Sequence, residues 1–229
     1  MLLLEQTKII MKTKTALIIG ASGLTGNELL KFLINTETYE KVIVLVRKPL
    51  IIENKKIEQL IVDFNNLGQY KEKFKADDVF CCLGTTIKKA KTKEAFKMVD
   101  LHYPLEIARM TKENGARQFL IISSMGANSK SSIFYSQVKG TMEDEIKKIG
   151  FESVHIFRPS LLLGKRDEFR LGEYFGTAFF KLVSWLFVGK LKRYRGIQAA
   201  TVASAMCKTA QIGRKGVNIY LSDEIKEIK

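Results

Sequence analysis

Short apolar runs alternate along the chain with segments in which apolar residues recur at helical spacing. The short runs are rich in β-branched and aromatic residues, which is typical of strands buried on both faces. The predicted strands are Thr15–Ile19, Val42–Val46, Ile57–Val62, Val79–Leu83, Phe119–Ile122 and Val154–Phe157. The segments Leu24–Ile34 and Lys93–Lys112 predict helices between them. Because strands that alternate with helices form parallel sheets covered on both faces, the pattern predicts an α/β fold with a doubly wound sheet.

The pattern changes after the sixth predicted strand. Residues 158–170 read as a loop, and residues 171–188 and 201–210 predict two further helices. We therefore expect a main domain over residues 11–158 and a small C-terminal lobe over residues 159–229. Open α/β sheets bind ligands at their carboxyl edge, so this lobe is predicted to lie on the substrate side. Residues 1–10, which precede Met11, are predicted to be an extension of no functional weight.

The composition and charge of the chain exclude several classes of protein. The 229 residues carry 38 Lys and Arg against 24 Asp and Glu, a net charge of +14, but the basic residues are spread along the chain. No basic cluster or binding motif accompanies the charge, so no nucleic-acid partner is expected. No apolar run is long enough for a membrane span, and no export signal is recognised. The sequence therefore predicts a cytoplasmic protein, either a monomer or a dimer.

The cysteines and histidines predict neither a disulfide framework nor a metal site. There are three cysteines, Cys81, Cys82 and Cys207, and an odd number with two adjacent is a poor disulfide pattern. The two histidines have no zinc-ligand spacing relative to the cysteines. We expect the cysteines to be small buried apolar side chains and expect no bound metal.

A glycine-rich segment follows the first predicted strand and opens the first predicted helix. Its glycines have the spacing GxxGxxG, and in this position they allow the backbone to approach a pyrophosphate at the N-terminus of a helix. A glycine-rich turn without a ligand is the alternative. The predicted nucleotide-binding residues of this segment are Gly20, Ser22, Gly23, Leu24, Thr25 and Gly26.

The second predicted strand ends in cations rather than in a carboxylate. An NAD enzyme places an acidic residue here to bind the ribose 2′-hydroxyl, whereas this chain has Arg47 and Lys48. These two charges would attract a 2′-phosphate, so the predicted cofactor is NADP(H). Two ordinary surface cations are the alternative. Asp63, which closes the third strand, is predicted either to bond the adenine amino group or to cap the next helix.

A tyrosine and a lysine lie four residues apart after the fifth predicted strand, and hence on one face of a helix. Tyr135 is the candidate proton donor, since proton delivery must accompany hydride transfer to a carbonyl. Lys139 would lower the pKa of the phenol and could also hold the nicotinamide ribose. Ser124, with Ser123 as the alternative, would hydrogen-bond the reacting oxygen. A surface Tyr–Lys pair without a catalytic role is the competing interpretation.

Together these motifs resemble the short-chain dehydrogenase/reductase superfamily, and more narrowly its atypical Tat-interacting-protein-like oxidoreductases. The resemblance rests on the glycine segment, the Arg-Lys pair, the run Phe-Cys-Cys-Leu-Gly-Thr-Thr at residues 80–86, the segment Ser-Ser-Met-Gly-Ala at 123–127 and the Tyr-Lys helix. It implies a Rossmann-like fold. It also implies a role in binding the cofactor for the tyrosine and lysine and for four further residues, namely Leu83, Gly84, Leu162 and Arg170.

The function expected from these observations is an NADPH-dependent oxidoreductase that acts on a carbonyl or hydroxyl group of a small molecule. The resemblance also admits a second class, an NADP(H)-binding sensor that acts through a protein partner with little or no turnover. The presence of both Tyr135 and Lys139 favours the enzyme.

Overall fold

A parallel sheet of seven strands forms the centre of the protein in a computed structural model that describes residues 13–164 and 193–228. Its strands are β1 (Lys14–Ile19), β2 (Tyr39–Val46), β3 (Ile57–Ile61), β4 (Asp78–Cys81), β5 (Gln118–Ile122), β6 (Ser153–Arg158) and β9 (Gly216–Leu221). In the described ranges their order in the sheet is β3-β2-β1-β4-β5-β6-β9. Two short strands, β7 (Leu162–Leu163) and β8 (Ile197–Gln198), pair with each other in a separate small sheet.

Helices cover both faces of the sheet. They are α1 (Leu24–Asn35), α2 (Ile87–Ala90), α3 (Lys93–Lys97), α4 (Tyr103–Glu113), α5 (Phe134–Lys148), α6 (Ala199–Ile212) and α7 (Ser222–Glu227). A 3₁₀-helical segment spans Phe64–Lys73 and is kinked at Asn66, whose backbone is not helical. A π-helical turn, Met98–His102, joins α3 to α4.

Alternation of side chains along the strands divides the interior into two apolar cores. On one face Ile18 packs with Leu29 of α1 and Met206 of α6. On the other face the neighbouring residue of β1, Ile19, packs with Ile107 of α4. Both faces of the central strands are therefore buried, which explains why these strands read as continuous apolar runs in the sequence.

The strand order reverses between β1 and β4, which are neighbours in the sheet although β2 and β3 lie between them in sequence. The connections that leave β1 and β4 consequently diverge to opposite sides. This creates a crevice at the carboxyl ends of the two strands, where open α/β sheets bind their ligands. The glycine segment and residues 82–86 lie at this crevice.

The Rossmann-like α/β fold is confirmed, and all six predicted strands are present within one or two residues of their predicted ends, except β2, which begins three residues earlier. The long helix predicted over 93–112 consists of α3, the π-helical turn and α4. The helix predicted over 201–210 lies within α6. Residues 1–10, the predicted helix 171–188 and Arg170 lie outside the described residues.

The position of the C-terminal residues differs from the expected small lobe. Helix α6 packs against α1, and β9 pairs with β6 as the seventh strand of the main sheet. Residues 199–221 are therefore part of the Rossmann core, and the predicted boundary at residue 158 needs correction for this segment. The strand escaped prediction because β9 is at the edge of the described sheet, where polar residues such as Asn218 interrupt the apolar pattern.

Candidate functional site

The turn between β1 and α1 is shaped by glycines that no other residue could replace without movement. Gly20 has a φ of +83°, and a Cβ at this position would lie 2.7 Å from the carbonyl carbon of Cys82. A Cβ at Gly26 would overlap the carbonyl oxygen of Gly20. The start of α1 is therefore held directly against its own turn and against the end of β4.

The N-terminus of α1 is open to solvent and has no side-chain cap. Gly23 is the N-cap residue, and no side-chain hydrogen bond caps the helix there. Ser22 and Gly23 are exposed, whereas Thr25 and Gly26 are buried. Uncapped N–H groups and the positive end of the helix dipole together suit an anion such as a pyrophosphate.

The small sheet borders this turn. A Cβ at Gly164, which directly follows β7, would lie 2.7 Å from Cδ1 of Leu24. Leu162, in β7, is half-buried and packs at the edge of the core that contains α1. The small sheet therefore lies next to the start of α1, and the contribution of Leu162 to a nucleotide site stays a prediction.

A cavity with a volume of about 550 Å³ lies at the carboxyl ends of β2 and β3. Its walls include Arg47, Asp63, Tyr70 and Tyr103. Lys48 follows Arg47 in the sequence and is exposed, but it does not line the cavity. The cavity thus presents one guanidinium at the place where the sequence predicts the 2′-phosphate.

Asp63 caps the 3₁₀ helix that follows β3. Its Oδ1 accepts a hydrogen bond of 3.0 Å from the backbone N–H of Asn65. Of the two roles expected for this carboxylate, capping is the one observed, and the contact with adenine stays a prediction. Tyr103 donates a 2.9 Å hydrogen bond to Oδ1 of Asn65. Burial, together with the charge of Asp63, raises the pKa of Tyr103.

The segment after β4 connects the crevice to α5. Gly84 is exposed, and a Cβ there would lie 3.6 Å from Oδ1 of Asp100 and 3.9 Å from Nζ of Lys139. The backbone N–H of Thr85 donates a 2.8 Å hydrogen bond to Oδ2 of Asp100. Leu83 is half-buried against the core under α4. Because Gly84 is exposed and has no side chain, a ligand can approach its backbone closely from the solvent side.

Two serine hydroxyls at the end of β5 have no hydrogen-bond partner in the described structure. The Oγ atoms of Ser123 and Ser124 are both buried and unpartnered. The backbone of Ser123 is fixed by a 2.7 Å hydrogen bond from its N–H to the carbonyl oxygen of Phe157. Buried hydroxyls usually find partners, so this pair is suited to a bound polar group.

Helix α5 is fastened to the loop that follows β5. A Cβ at Gly140 would overlap the backbone of Ser129, so helix and loop are in direct backbone contact. Ser129 also donates a 2.6 Å hydrogen bond to Asp144, and the N–H of Asn128 bonds the carbonyl oxygen of Ser136 at 3.0 Å. These contacts fix the start of α5 relative to the two serines.

Tyr135 and Lys139 lie one turn apart in α5. Tyr135 is half-buried, and its ring packs 5.6 Å from that of Phe96. The side chain of Lys139 is only 5% exposed, and its Nζ lies 2.7 Å from Oδ1 of Asp100. Burial lowers the pKa of Lys139, but the attractions of Asp100 and Tyr135 outweigh it and raise the pKa above its usual value.

Asp100 is a site residue that the sequence analysis missed. It occupies a position of the 93–112 helix that lies inside the protein, where an apolar side chain is expected, and its side chain is 1% exposed. A carboxylate on the buried face of a helix requires a partner, and Asp100 could have been identified from this pattern in the sequence. Its partners are distant in sequence, which is why they were not identified.

Of the two cysteines near the crevice, Cys81 is buried and Cys82 is half-buried, in agreement with the expected packing role. Burial raises the pKa of the Cys81 thiol to about 12 and also raises that of Cys82. In the described part of the chain, no three His, Cys, Asp or Glu side chains are grouped so that they could hold a metal ion. None of the helices within residues 13–164 and 193–228 is long and apolar enough to cross a bilayer.

Comparison with known proteins identifies the family to which the chain belongs. The sequence pattern of the NAD(P)H-binding family matches residues 20–172. The rat protein HTATIP2 is 40% identical over 174 residues, which are 74% of this chain and 72% of that protein. FMP52 of Candida albicans, a mitochondrial protein, is 32% identical over 216 residues, which are 91% of each chain. The chain therefore belongs to the NAD(P)H-binding family, and within it to the atypical short-chain dehydrogenase/reductase group that includes HTATIP2.

Solved structures support the fold independently. The Bordetella bronchiseptica enzyme WbmH, in complex with NAD⁺, superposes with a TM-score of 0.69 at 14% identity over 94% of this chain and 79% of that chain. MoeE5, in complex with UDP-glucose and NAD, gives a TM-score of 0.68 at 15% identity over 92% of this chain and 79% of that chain. At such low identity the likeness concerns the fold alone.

The predicted cytoplasmic location is wrong. Six FMP52 relatives from different organisms, between 29% and 34% identical, are named as mitochondrial proteins and point to mitochondria. The prediction relied on the lack of an export signal, and such a lack does not distinguish the cytosol from an organelle.

Proposed function

We propose that the protein is an NADP(H)-dependent oxidoreductase that transfers a hydride between the nicotinamide and a carbonyl or hydroxyl group of a small molecule. One observation carries the proposal. Tyr135 and Lys139 lie one turn apart on α5, and the ammonium of Lys139 lies 3.9 Å from the place that a Cβ of Gly84 would occupy, at the same edge of the sheet as the open glycine turn.

The residues of the sheet edge fit an extended dinucleotide. The uncapped N-terminus of α1 would hold the pyrophosphate, because its uncapped N–H groups and the helix dipole favour an anion. At one end, Arg47 would bind the 2′-phosphate from the wall of the cavity, with Lys48 adding charge nearby. At the other end, Gly84 would allow the nicotinamide half to approach the backbone above Lys139.

Proton transfer would be the task of α5 and the end of β5. The cofactor, when bound, supplies or accepts the hydride at C4 of its nicotinamide ring. The phenol of Tyr135 donates a proton to the substrate oxygen during reduction and takes it back during oxidation. Lys139, one turn away on the same helix, would hold the nicotinamide ribose. The unpartnered hydroxyl of Ser124, or that of Ser123, donates a hydrogen bond to the same oxygen.

The choice of nucleotide is tested by titration of NADPH and NADH into the protein while nicotinamide fluorescence is followed. We expect tighter binding of NADPH. Arg47→Ala should weaken NADPH about 10- to 100-fold, as expected for the loss of a charged hydrogen bond, and should leave NADH nearly unchanged. Arg109→Ala, which removes an exposed arginine on α4 outside the cavity lining, is the matched control. Equal affinity of the wild-type protein for both nucleotides would contradict the assigned role of Arg47.

Turnover is tested with a panel of aldehydes, ketones and quinones in the presence of NADPH. We expect at least one compound to be reduced, and Tyr135→Phe to lower kcat by at least about 100-fold while NADPH still binds. Undiminished turnover in Tyr135→Phe would exclude the tyrosine as proton donor. NADPH binding without consumption of any compound would favour the cofactor sensor instead.

A further inference from the structure

The buried ion pair beneath the candidate site joins three separate elements. Asp100 lies in the π-helical turn between α3 and α4, and its two carboxylate oxygens bind different partners. Oδ2 accepts the 2.8 Å hydrogen bond from the N–H of Thr85, and Oδ1 lies 2.7 Å from Nζ of Lys139. Asp100 thereby connects the crevice segment after β4 to the helix that carries Tyr135.

The π-helical turn explains how a carboxylate reaches this buried position. The N–H of Tyr103 bonds the carbonyl oxygen of Met98, five residues earlier, so one extra residue is accommodated within the turn. Such π-helical turns occur frequently at functional sites. Here the turn places Asp100 inside the protein, whereas His102, two residues later, is exposed.

Lys139 depends on Asp100 for its charge. A buried ammonium without a partner is strongly disfavoured, because burial removes its hydration. The titratable groups that face Lys139 in the described structure are Asp100, Tyr135 and Cys81. The thiol of Cys81 is neutral near pH 7, since burial raises its pKa to about 12. Asp100 is therefore the carboxylate that compensates the ammonium.

We propose that Asp100 is a positioning residue that keeps Lys139 charged and holds its ammonium between Gly84 and Tyr135. The catalytic consequence rests on the proposed oxidoreductase function, whereas the charge state of Lys139 does not. Asp100 acts through Lys139, and its own carboxylate is occupied by Thr85 and by the ammonium.

The first experiment measures the charge of Lys139 without any turnover. In protein labelled with ¹⁵N-lysine, the Nζ chemical shift is followed through the ε-methylene protons as a function of pH, and Lys139→Met assigns the signal. We expect the wild-type signal to remain that of an ammonium up to at least about pH 10, since the reference pKa of lysine is near that value. A wild-type Lys139 that loses its proton near neutral pH would overturn the proposal.

The second measurement uses Asp100→Asn, which retains an acceptor for Thr85 but removes the charge. We expect the titration of Lys139 to move down by at least one pH unit, and Asp100→Glu to restore it in part. Glu143→Gln is the matched control. Like Asp100, Glu143 is a fully buried carboxylate, but it lies on α5 and its partner is Arg158, 2.5 Å away. This control should lower stability and leave the titration of Lys139 in place. An unchanged titration in Asp100→Asn would refute the role of Asp100.

Kinetics then separate a positioning role from a purely structural one. In Asp100→Asn, we expect kcat to fall at a lower pH than in the wild-type protein, in step with the lowered titration of Lys139, and to recover when the pH is lowered, whereas Glu143→Gln should keep the wild-type pH profile. If no compound is reduced by the wild-type protein, the oxidoreductase proposal fails, and the lysine titration still decides the ion pair. A pH profile that is identical in Asp100→Asn and wild type would contradict the proposal.

Discussion

Replacement of the glycines in the turn between β1 and α1 should produce a graded series of effects on stability and on nucleotide binding. In Gly26→Ala the new methyl group would overlap the carbonyl oxygen of Gly20 and lie 2.7 Å from its carbonyl carbon. Both contacts are with backbone, so α1 must move relative to its turn. In Gly23→Ala the nearest atom is 3.2 Å away, and in Gly68→Ala nothing lies within 4 Å.

The expected magnitudes follow from these contacts. Overpacking of a well-packed site typically costs about 1–3 kcal/mol. For a chain of this size, this corresponds to a loss of roughly 2–12 °C in Tm. If the displaced turn also loses its fit to a pyrophosphate, the same free energy in binding corresponds to a roughly 5- to 150-fold weaker Kd for NADPH. Gly68→Ala, in the 3₁₀ helix, should change neither quantity.

Gly23→Ala separates the two effects because Gly23 is exposed at the uncapped start of α1. Its methyl group would meet a single backbone atom, the carbonyl oxygen of Gly20, at 3.2 Å, which is a milder contact than those in Gly26→Ala. We therefore expect a smaller loss of Tm than in Gly26→Ala, together with clearly weaker NADPH binding. Thermal unfolding followed by circular dichroism and titration of nicotinamide fluorescence measure the two quantities. Wild-type Tm and wild-type Kd in Gly26→Ala would refute the steric reasoning. Wild-type Kd in Gly23→Ala would argue against a pyrophosphate at this helix terminus.

Two further predictions concern the buried titratable groups. Burial and the charge of Arg214 lower the pKa of His155 to about 4 in the folded protein. In the unfolded chain the same histidine binds its proton near pH 6.5. Stability should therefore fall as the pH falls through this window, by about 2 kcal/mol between pH 7 and pH 5, and urea unfolding of His155→Gln should show a flatter dependence. Because burial raises the pKa of all three thiols, the native protein should react slowly with a thiol reagent at pH 8, and the urea-unfolded protein should react at three sites. A thiol that reacts rapidly in the native state would contradict this expectation.

The features that could be predicted from the sequence are those formed by residues that are neighbours in the chain. The central strands are covered on both faces, so each reads as an uninterrupted apolar run. The glycine spacing and the Tyr135–Lys139 pair are likewise contained within a few neighbouring residues. These features need no knowledge of the tertiary structure.

The features that escaped prediction depend on partners distant in the chain. Strand β9 pairs with β6, which lies about sixty residues earlier, and its side chains are partly exposed. Asp100 acquires its role only when folding brings Lys139 and the N–H of Thr85 to its two oxygens. The small sheet next to Leu24 is equally a product of tertiary packing.

The contribution of the C-terminal residues to the core has a practical consequence. A fragment that stopped near residue 170 would contain almost the whole of the matched region, residues 20–172. It would nevertheless lack α6, and the apolar side of α1, including Leu29 and Leu33, would lose its covering helix. Such a shortened chain should aggregate rather than bind nucleotide, so deletion mapping cannot separate a ligand-binding half from a dispensable tail.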